Sequence, residues 1–306
     1  AQSHCCRQTS EASPYYNGGR FGMGHPRYLK VWLQTCHIKL TIHLSILFYN
    51  RCLLCFTTGK PCSVFFNWRP IIQTVTISLY RFDGVMRQMW AFAMMGLARQ
   101  KLKKLNNLRF WKLLGSGTDQ GFTPIPNFGV YAILCVWDTA EEAHDFTNNS
   151  KVFSSYKSQS IEHATIYMEA VSSRGKWSHK EPFLVNSKDI EGPIAILTRA
   201  TVRWTKLISF WKQSPSISQR IGNNTDVMFK VGLGEVPLRQ QLTFSIWPNL
   251  GSMKKFAHVS GPHREAIDKV RSGNWFKEEL YARFRVKKIE GYWPALGKLS
   301  NQENYR

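Results

Sequence analysis

A stretch of about 110 residues occurs twice in this chain, and that repeat constrains the fold more than any other feature. "FWKLLGSG" (110–117) returns as "MFKVGLGE" (228–235), "ILCVWD" (133–138) as "TFSIWP" (243–248), and "RGKW" (174–177) as "EGYW" (290–293). Each copy carries the same order of hydrophobic periods. In the first, "TVTISLYRF" (74–82) is β-branched and aromatic and reads as a strand. "VMRQMWAFAMMGLARQKLKKL" (85–105) repeats its apolar positions every three to four residues and ends in cations, as a helix does. "LRFWKLLG" and "FGVYAILCVW" read as two further strands. "TAEEAHDF" is a helix start, with Thr139 at the N-cap and Glu142 three residues on, and "ATIYMEAVSSRGKW" is a fourth strand.

The second copy follows suit. "PIAILTRATV", "DVMFKVGLGEVP", "QLTFSIWP" and "YARFRVKKIEGYW" read as strands, "KLISFWKQSPSISQRI" as helical up to Pro215, and "LGSMKKFAH" and "HREAIDKVRS" as helices. The order βαββαβ is the split βαβ of a ferredoxin-like unit. Its sheet has helices on one face only, so the other face needs cover, and two such sheets in one chain cover each other. The expected fold is α+β: tandem ferredoxin-like repeats forming an intramolecular dimeric α+β barrel, whose interior and flanking helices can hold an apolar ligand. The expected boundaries are a first repeat at 72–178, a linker at 179–192, a second repeat at 193–295 and a tail at 296–306. Because the repeats pair internally, a monomer suffices.

Residues 1–71 do not share this order. They hold six of the seven cysteines and eight Lys or Arg against one acid, Glu11. Cys52-x-x-Cys55 with Cys62, His37 and His43 has zinc-ligand chemistry but only one CxxC knuckle. "LTIHLSILFYNRCLLCF" is broken by His43, Asn50 and Arg51 where a membrane span needs about 20 apolar residues. A leader that forms no domain is the expected reading. The rest of the chain has the lone Cys135, so no disulfide framework is expected there and the cytoplasm suits it.

The formal charge of +21 invites an acidic partner, nucleic acid or an anionic membrane surface, though charge says nothing about fold. Gly115-Ser116-Gly117-Thr118 resembles a phosphate loop, but it joins two strands, opens no helix and lacks the Walker Lys-Ser/Thr, so phosphate is not expected there. It reads instead as a rim where glycine lets a ligand approach the backbone. No Ser-His-Asp or Cys-His arrangement and no HExxH occurs. His263, after Pro262 at a helix start, reads either as a helix-start hydrogen-bonder or as a ligand; facing an apolar cavity it would suit haem iron. Arg81 in "LYRF" and Arg199 in "LTRAT" read as equivalent points of the two repeats, each salt-bridged or facing an anionic group such as a haem propionate.

"WAFAMM", "FWKLLGSGTDQGFTPIPN", "LTRATV", "KVGLGEVPLRQQLTFSIW" and "NWFKEELYARFRV" together resemble the spheroidene monooxygenase family of carotenoid biosynthesis, from about Thr74 to Trp293. The resemblance implies a haem-dependent oxygenase that oxidises the end of an acyclic carotenoid with dioxygen and reduced ferredoxin. Two hydroxylations at one carbon then give a ketone by loss of water. It implies an axial role for His263 on the haem iron, places the family's glycine loop on Gly115, Ser116 and Gly117, and its second-loop acid on Glu235. Arg199 and Glu235 are the expected catalytic residues, and Arg81, Gly115, Ser116 and Gly117, with His263, the expected cofactor contacts. Residues 72–306 alone carry 33 Lys and Arg against 19 acids, so the expected partners are an anionic bilayer holding the substrate, at the inner membrane, and an acidic ferredoxin; nucleic acid is not expected. The competing functions are another haem enzyme on the same barrel, a dehydratase or peroxidase, and a non-catalytic carotenoid- or haem-binding protein.

Overall fold

The computed structural model describes residues 72–105, 107–121, 123–185, 191–212, 226–259 and 273–297. Residues 1–71 with the cysteines and histidines read for zinc, His263 with the helix expected there, and most of the tail lie outside the described residues. The strands are β1 Thr74–Arg81, β2 Leu108–Gly117, β3 Pro126–Trp137, β4 Glu162–Gly175, β5 Ile194–Val202, β6 Phe229–Gly234, β7 Gln240–Trp247 and β8 Phe276–Tyr292. The helices are α1 Val85–Lys103, α2 Thr118–Gly121, α3 Ala140–Asn149, α4 Lys151–Gln159 and α5 Leu250–Val259. Residues 207–212 are also helical.

Strand alternation decides the architecture. In β1, Val75, Ile77 and Leu79 face one way, and Tyr80 packs the other way against the helices. All eight strands close into one barrel, ordered β1-β3-β2-β6-β7-β5-β8-β4. Each repeat contributes one four-stranded half, β4-β1-β3-β2 and β8-β5-β7-β6, as the repeat predicts. The two seams differ in length. β4 and β8 pair from His163↔Tyr292 to Gly175↔Leu280, whereas β2 and β6 pair only at Gly115↔Gly234 and Ser116↔Leu233.

"RGKW" and "EGYW" explain themselves at the long seam. Gly175 (φ 97°) and Gly291 (φ 87°) take a left-handed backbone, and a Cβ on either would lie 2.2 Å from the Glu279 carbonyl oxygen or 2.4 Å from that of His163. The chain then turns so that Trp177 and Trp293 fold into the barrel's interior cluster. Neighbouring strands run antiparallel around the barrel, so these tryptophans close opposite ends.

Among the described residues the interior is filled by packed side chains, where the sequence suggested room for an apolar ligand. Val75, Ile77, Leu79, Leu134, Ile166, Leu197, Phe244 and Phe284 meet there fully buried. An eight-stranded barrel is wide enough for its own side chains or for one small ligand, and here side chains fill it.

Outside the first half-sheet, α1, α3 and α4 cover Tyr80, Leu113, Tyr131, Ile133 and Cys135. Thr139 caps α3 as its sequence predicts, its hydroxyl accepting the Glu142 N–H at 3.2 Å. Helix α4 was not foreseen. Neither was the early start of β8 at Phe276, nor the single helical turn α2 directly after Gly117.

Candidate active site

Strand register fixes which residues of the two repeats correspond. Thr74 pairs with Trp137 and Ile194 with Trp247, so Leu79 corresponds to Arg199 and Arg81 to Thr201. The two arginines are therefore not equivalent, as sequence suggested; they stand two residues apart in register. Leu114 and Leu233 pair with Ala132 and Leu242, so Gly115 corresponds to Gly234 and Ser116 to Glu235. The alignment of "FWKLLGSG" with "MFKVGLGE" is thus one residue out. A bulge between Leu108 and Phe110 shifts β2, and β6 has no counterpart to it.

Gly115 and Gly234, equivalent by the repeat, also pair with each other, so the pseudo-two-fold axis runs between them. The glycine stretch is strand and seam, not the loop its sequence suggested. A Cβ on Gly234 would come 2.7 Å from the Gln240 carbonyl oxygen, while one on Gly115 would meet nothing closer than 3.9 Å. The Ser116 hydroxyl reaches across the seam to the Gly232 carbonyl at 3.0 Å.

Over this short seam lies a groove of about 210 Å³. Phe92, Met95 and Arg99 of α1 form one side, Ile125 and Phe128 another, and Trp211, Leu238 and Gln241 the third; Gly115, Ser116, Gly117 and Gly234 lie along the groove. The Trp211 indole N–H donates to the Leu238 carbonyl at 2.9 Å, fixing that wall. Glu235 is the one carboxylate among the groove's described lining residues.

Glu235 is held on both oxygens. Lys112 Nζ lies 2.6 Å from Oε2, and the Trp177 indole N–H donates to Oε1, with Arg199 Nη2 3.7 Å from the same atom. Arg199 Nη1 reaches Glu278 at 3.2 Å, and Lys112 also donates to the Ser178 hydroxyl at 2.7 Å. The Trp177 ring lies 5.6 Å from both Lys112 Nζ and Arg199 Cζ. Arg199 is 2% exposed, and burial lowers its pKa while Glu278 and Glu235 oppose that shift. Its Nε has no hydrogen-bond partner among the described residues.

The expected catalytic residues Arg199 and Glu235 thus sit in one cluster, and Gly115, Ser116 and Gly117 line the groove beside it. Arg81 does not join them. It pairs with Glu162 at 2.9 Å and lies 5.1 Å from the Trp293 ring, at the opposite end of the barrel. Lys112, Trp177 and Glu278 were missed. Phe110-x-Lys112-x-Leu114 places a lysine among inward-facing residues, a signal readable once the strand's inner face is known.

What these residues offer a haem is partial. Where the first half-sheet presents Tyr80, Leu113, Tyr131, Ile133 and Cys135 to its helices, the second presents Ala200, Gly232, Gln241, Thr243 and Ser245 at the register-equivalent positions. That exchange leaves smaller side chains on this face, three of the five polar, with Gln241 also lining the groove. No group of three or more His, Cys, Asp or Glu able to hold a metal occurs among the described residues.

A closed barrel of two ferredoxin-like halves, with an apolar groove and a buried ion cluster at one seam, is a tandem dimeric α+β barrel. No protein-family model matches the chain. It is 46% identical over 225 residues to spheroidene monooxygenase of Cereibacter sphaeroides, covering 72% of this chain and 69% of that one. It is 40% identical over 234 residues to spheroidene monooxygenase of Rhodobacter capsulatus, covering 76% and 97%. Among solved structures it is similar to an aldoxime dehydratase, with 8% identity, a TM-score of 0.47, and 71% and 83% coverage. The chain belongs to the spheroidene monooxygenase family, and is an oxidoreductase of the oxygenase kind.

Proposed function

We propose that this protein is a haem-dependent monooxygenase that oxidises the end of an acyclic, spheroidene-like carotenoid to a hydroxy or keto product, using dioxygen and electrons from reduced ferredoxin. The observation that carries the reading is the apolar groove with a single, doubly anchored carboxylate on its wall. Phe92, Ile125, Phe128 and Leu238 match a polyene end, and the Gly115–Gly117 and Gly234 backbone lets it lie close to the seam. Haem, when bound, would supply dioxygen activation. The residues that would hold it are the small Ala200, Gly232 and Thr243, with His263 as the iron ligand that family resemblance suggests.

Glu235 is the group on the groove wall that takes and returns a proton. A second hydroxylation at one carbon gives a geminal diol, which loses water to become a ketone; a carboxylate takes one hydroxyl proton and returns it to the departing hydroxyl. Lys112, Trp177 and Arg199 fix the orientation of Glu235 and leave it little rotamer freedom. The test is an absorption spectrum of the purified chain, produced with added haem precursor, before and after dithionite and then carbon monoxide. A Soret band that shifts at both steps, and is lost in His263→Ala, is expected. Carotenoid oxidation should then need an external electron donor. A well-folded but colourless protein, or turnover without a donor, would overturn the reading.

A further inference from the structure

Helix α1 turns an apolar face outward. Val85, Met86, Met89, Phe92 and Leu97 are all exposed, Met86 by 84%. Val85, Met89, Phe92, Gly96, Arg99 and Lys103 follow one another at helical spacing, so the apolar stripe runs straight into cations. The face continues beyond the helix. Phe92 meets Phe128 at 5.9 Å between ring centroids, and Pro124, Ile208, Trp211 and Leu238 line an adjoining apolar recess. Exposed Trp204 stacks under the Arg239 guanidinium at 4.5 Å. Together, residues 85–104, 124–128, 203–212 and 236–239 contain nine Lys or Arg and no Asp or Glu.

We infer that this face docks on an anionic phospholipid bilayer, with the α1 stripe inserted among the acyl chains and the cations at the headgroups. Protruding Met and Phe, a Trp-Arg pair and flanking Lys and Arg are what an interfacial surface needs. Charge decides against the other occupants. A second copy would bring nine cations against nine, and residues 1–71 are themselves basic. Phe92 and Phe128 belong both to this face and to the groove, so a docked molecule opens its groove toward the lipid. That use of the surface, delivery of a lipid-soluble substrate, rests on the proposed function; the docking does not.

The experiment is co-sedimentation of the full chain with phosphatidylcholine vesicles, with and without phosphatidylglycerol, free of carotenoid. Binding to the anionic vesicles, weakened by salt, is expected. Met86→Glu with Met89→Glu should cut it about tenfold or more, with an unchanged circular dichroism spectrum and melting midpoint because both side chains face solvent. Failure to bind, or a double variant that binds like the parent, overturns the inference. So does sedimentation equilibrium that shows a dimer split by the same substitutions, which would make the face a self-association surface. Because the vesicles carry no substrate, absent turnover would sink the proposed function and leave this result standing.

Discussion

Arg199 is buried against two carboxylates, Glu235 and Glu278, and the Trp177 ring, which make such a charge tolerable, and its repeat-equivalent is Leu79. That comparison separates shape from charge. A leucine fits the fold at this position in the first half, so Arg199→Leu takes the cation from Glu278 and leaves Glu235 to Lys112 and Trp177, without a steric fault. The cost should be about 3–5 kcal/mol in urea unfolding. Adding Glu278→Gln should recover part of it by removing one unpaired carboxylate. Equal loss in single and double variants would mean the arginine matters for packing alone. Glu290 makes a different case, through pH. Burial would raise its pKa, but hydrogen bonds from Lys288, Tyr167 and Asn148 prevail and bring it from 4.5 to about 2. A carboxyl depressed in the folded state lends stability above its unfolded pKa and loses it as pH falls through the folded one. Glu290→Gln should therefore be less stable than the parent at neutral pH. The gap, followed by thermal melts, should close between about pH 4.5 and about pH 2.

At the level of strands and helices, the glycines separate into those that need to be glycine and those that do not. Gly175→Ala and Gly291→Ala each place a methyl against a carbonyl of the partner strand and force a left-handed φ on a residue with a Cβ, so each should cost more than 2 kcal/mol. Gly234→Ala meets the Gln240 carbonyl, whereas Gly115→Ala meets only the Tyr131 ring edge at 3.9 Å and should change stability by less than about 1 kcal/mol. Urea midpoints for the four variants check this ranking. The strands themselves were legible because β-branched alternation and the Trp-bearing ends recur in both copies. Thr139 announced its helix through side-chain chemistry that acts within three residues. Helix α4 was obscured because "KVFSSYKSQ" has a short apolar stripe, Val152, Phe153 and Tyr156, whose partners lie on α1 and β1. The ion cluster was harder still. Lys112 and Glu235 lie 123 residues apart, and only closing the barrel shows that both point inward at the same end. Matching Lys112 to Lys230 aligned the repeats one residue out, because the strand register instead makes Phe110 equivalent to Phe229 and Gly115 to Gly234.

The whole molecule is a near-symmetric object made asymmetric where it works. Its halves share register, half-sheet order and end-closing tryptophans, yet Lys112, Arg199 and Glu235 correspond to Val231, Leu79 and Ser116. One end of the barrel carries the Lys112–Glu235–Arg199 cluster and the other the Arg81–Glu162 pair over Trp293. The seams are unequal in the same sense. β4–β8 is held by a long ladder, and β2–β6 by the pairs Gly115↔Gly234 and Ser116↔Leu233, two of the four residues being glycine. Few cross-strand bonds and little side-chain packing make a local opening cheap, so the short seam should separate well below the free energy of global unfolding. Native-state hydrogen exchange would read this directly. Amides that donate across the Gly115↔Gly234 and Ser116↔Leu233 pairs should exchange through a local opening nearly independent of low urea, while those of Ile166, Met168, Ala282 and Phe284 should exchange only with global unfolding. Filling the groove with an apolar ligand should slow the first set and leave the second unchanged, because the ligand would touch both sides of that seam and nothing of the other. Equal protection at both seams would mean that the ion cluster beside the groove, with Lys112 on one half and Glu235 on the other, is the true lock between the two sheets; Lys112→Met would then loosen the short seam selectively.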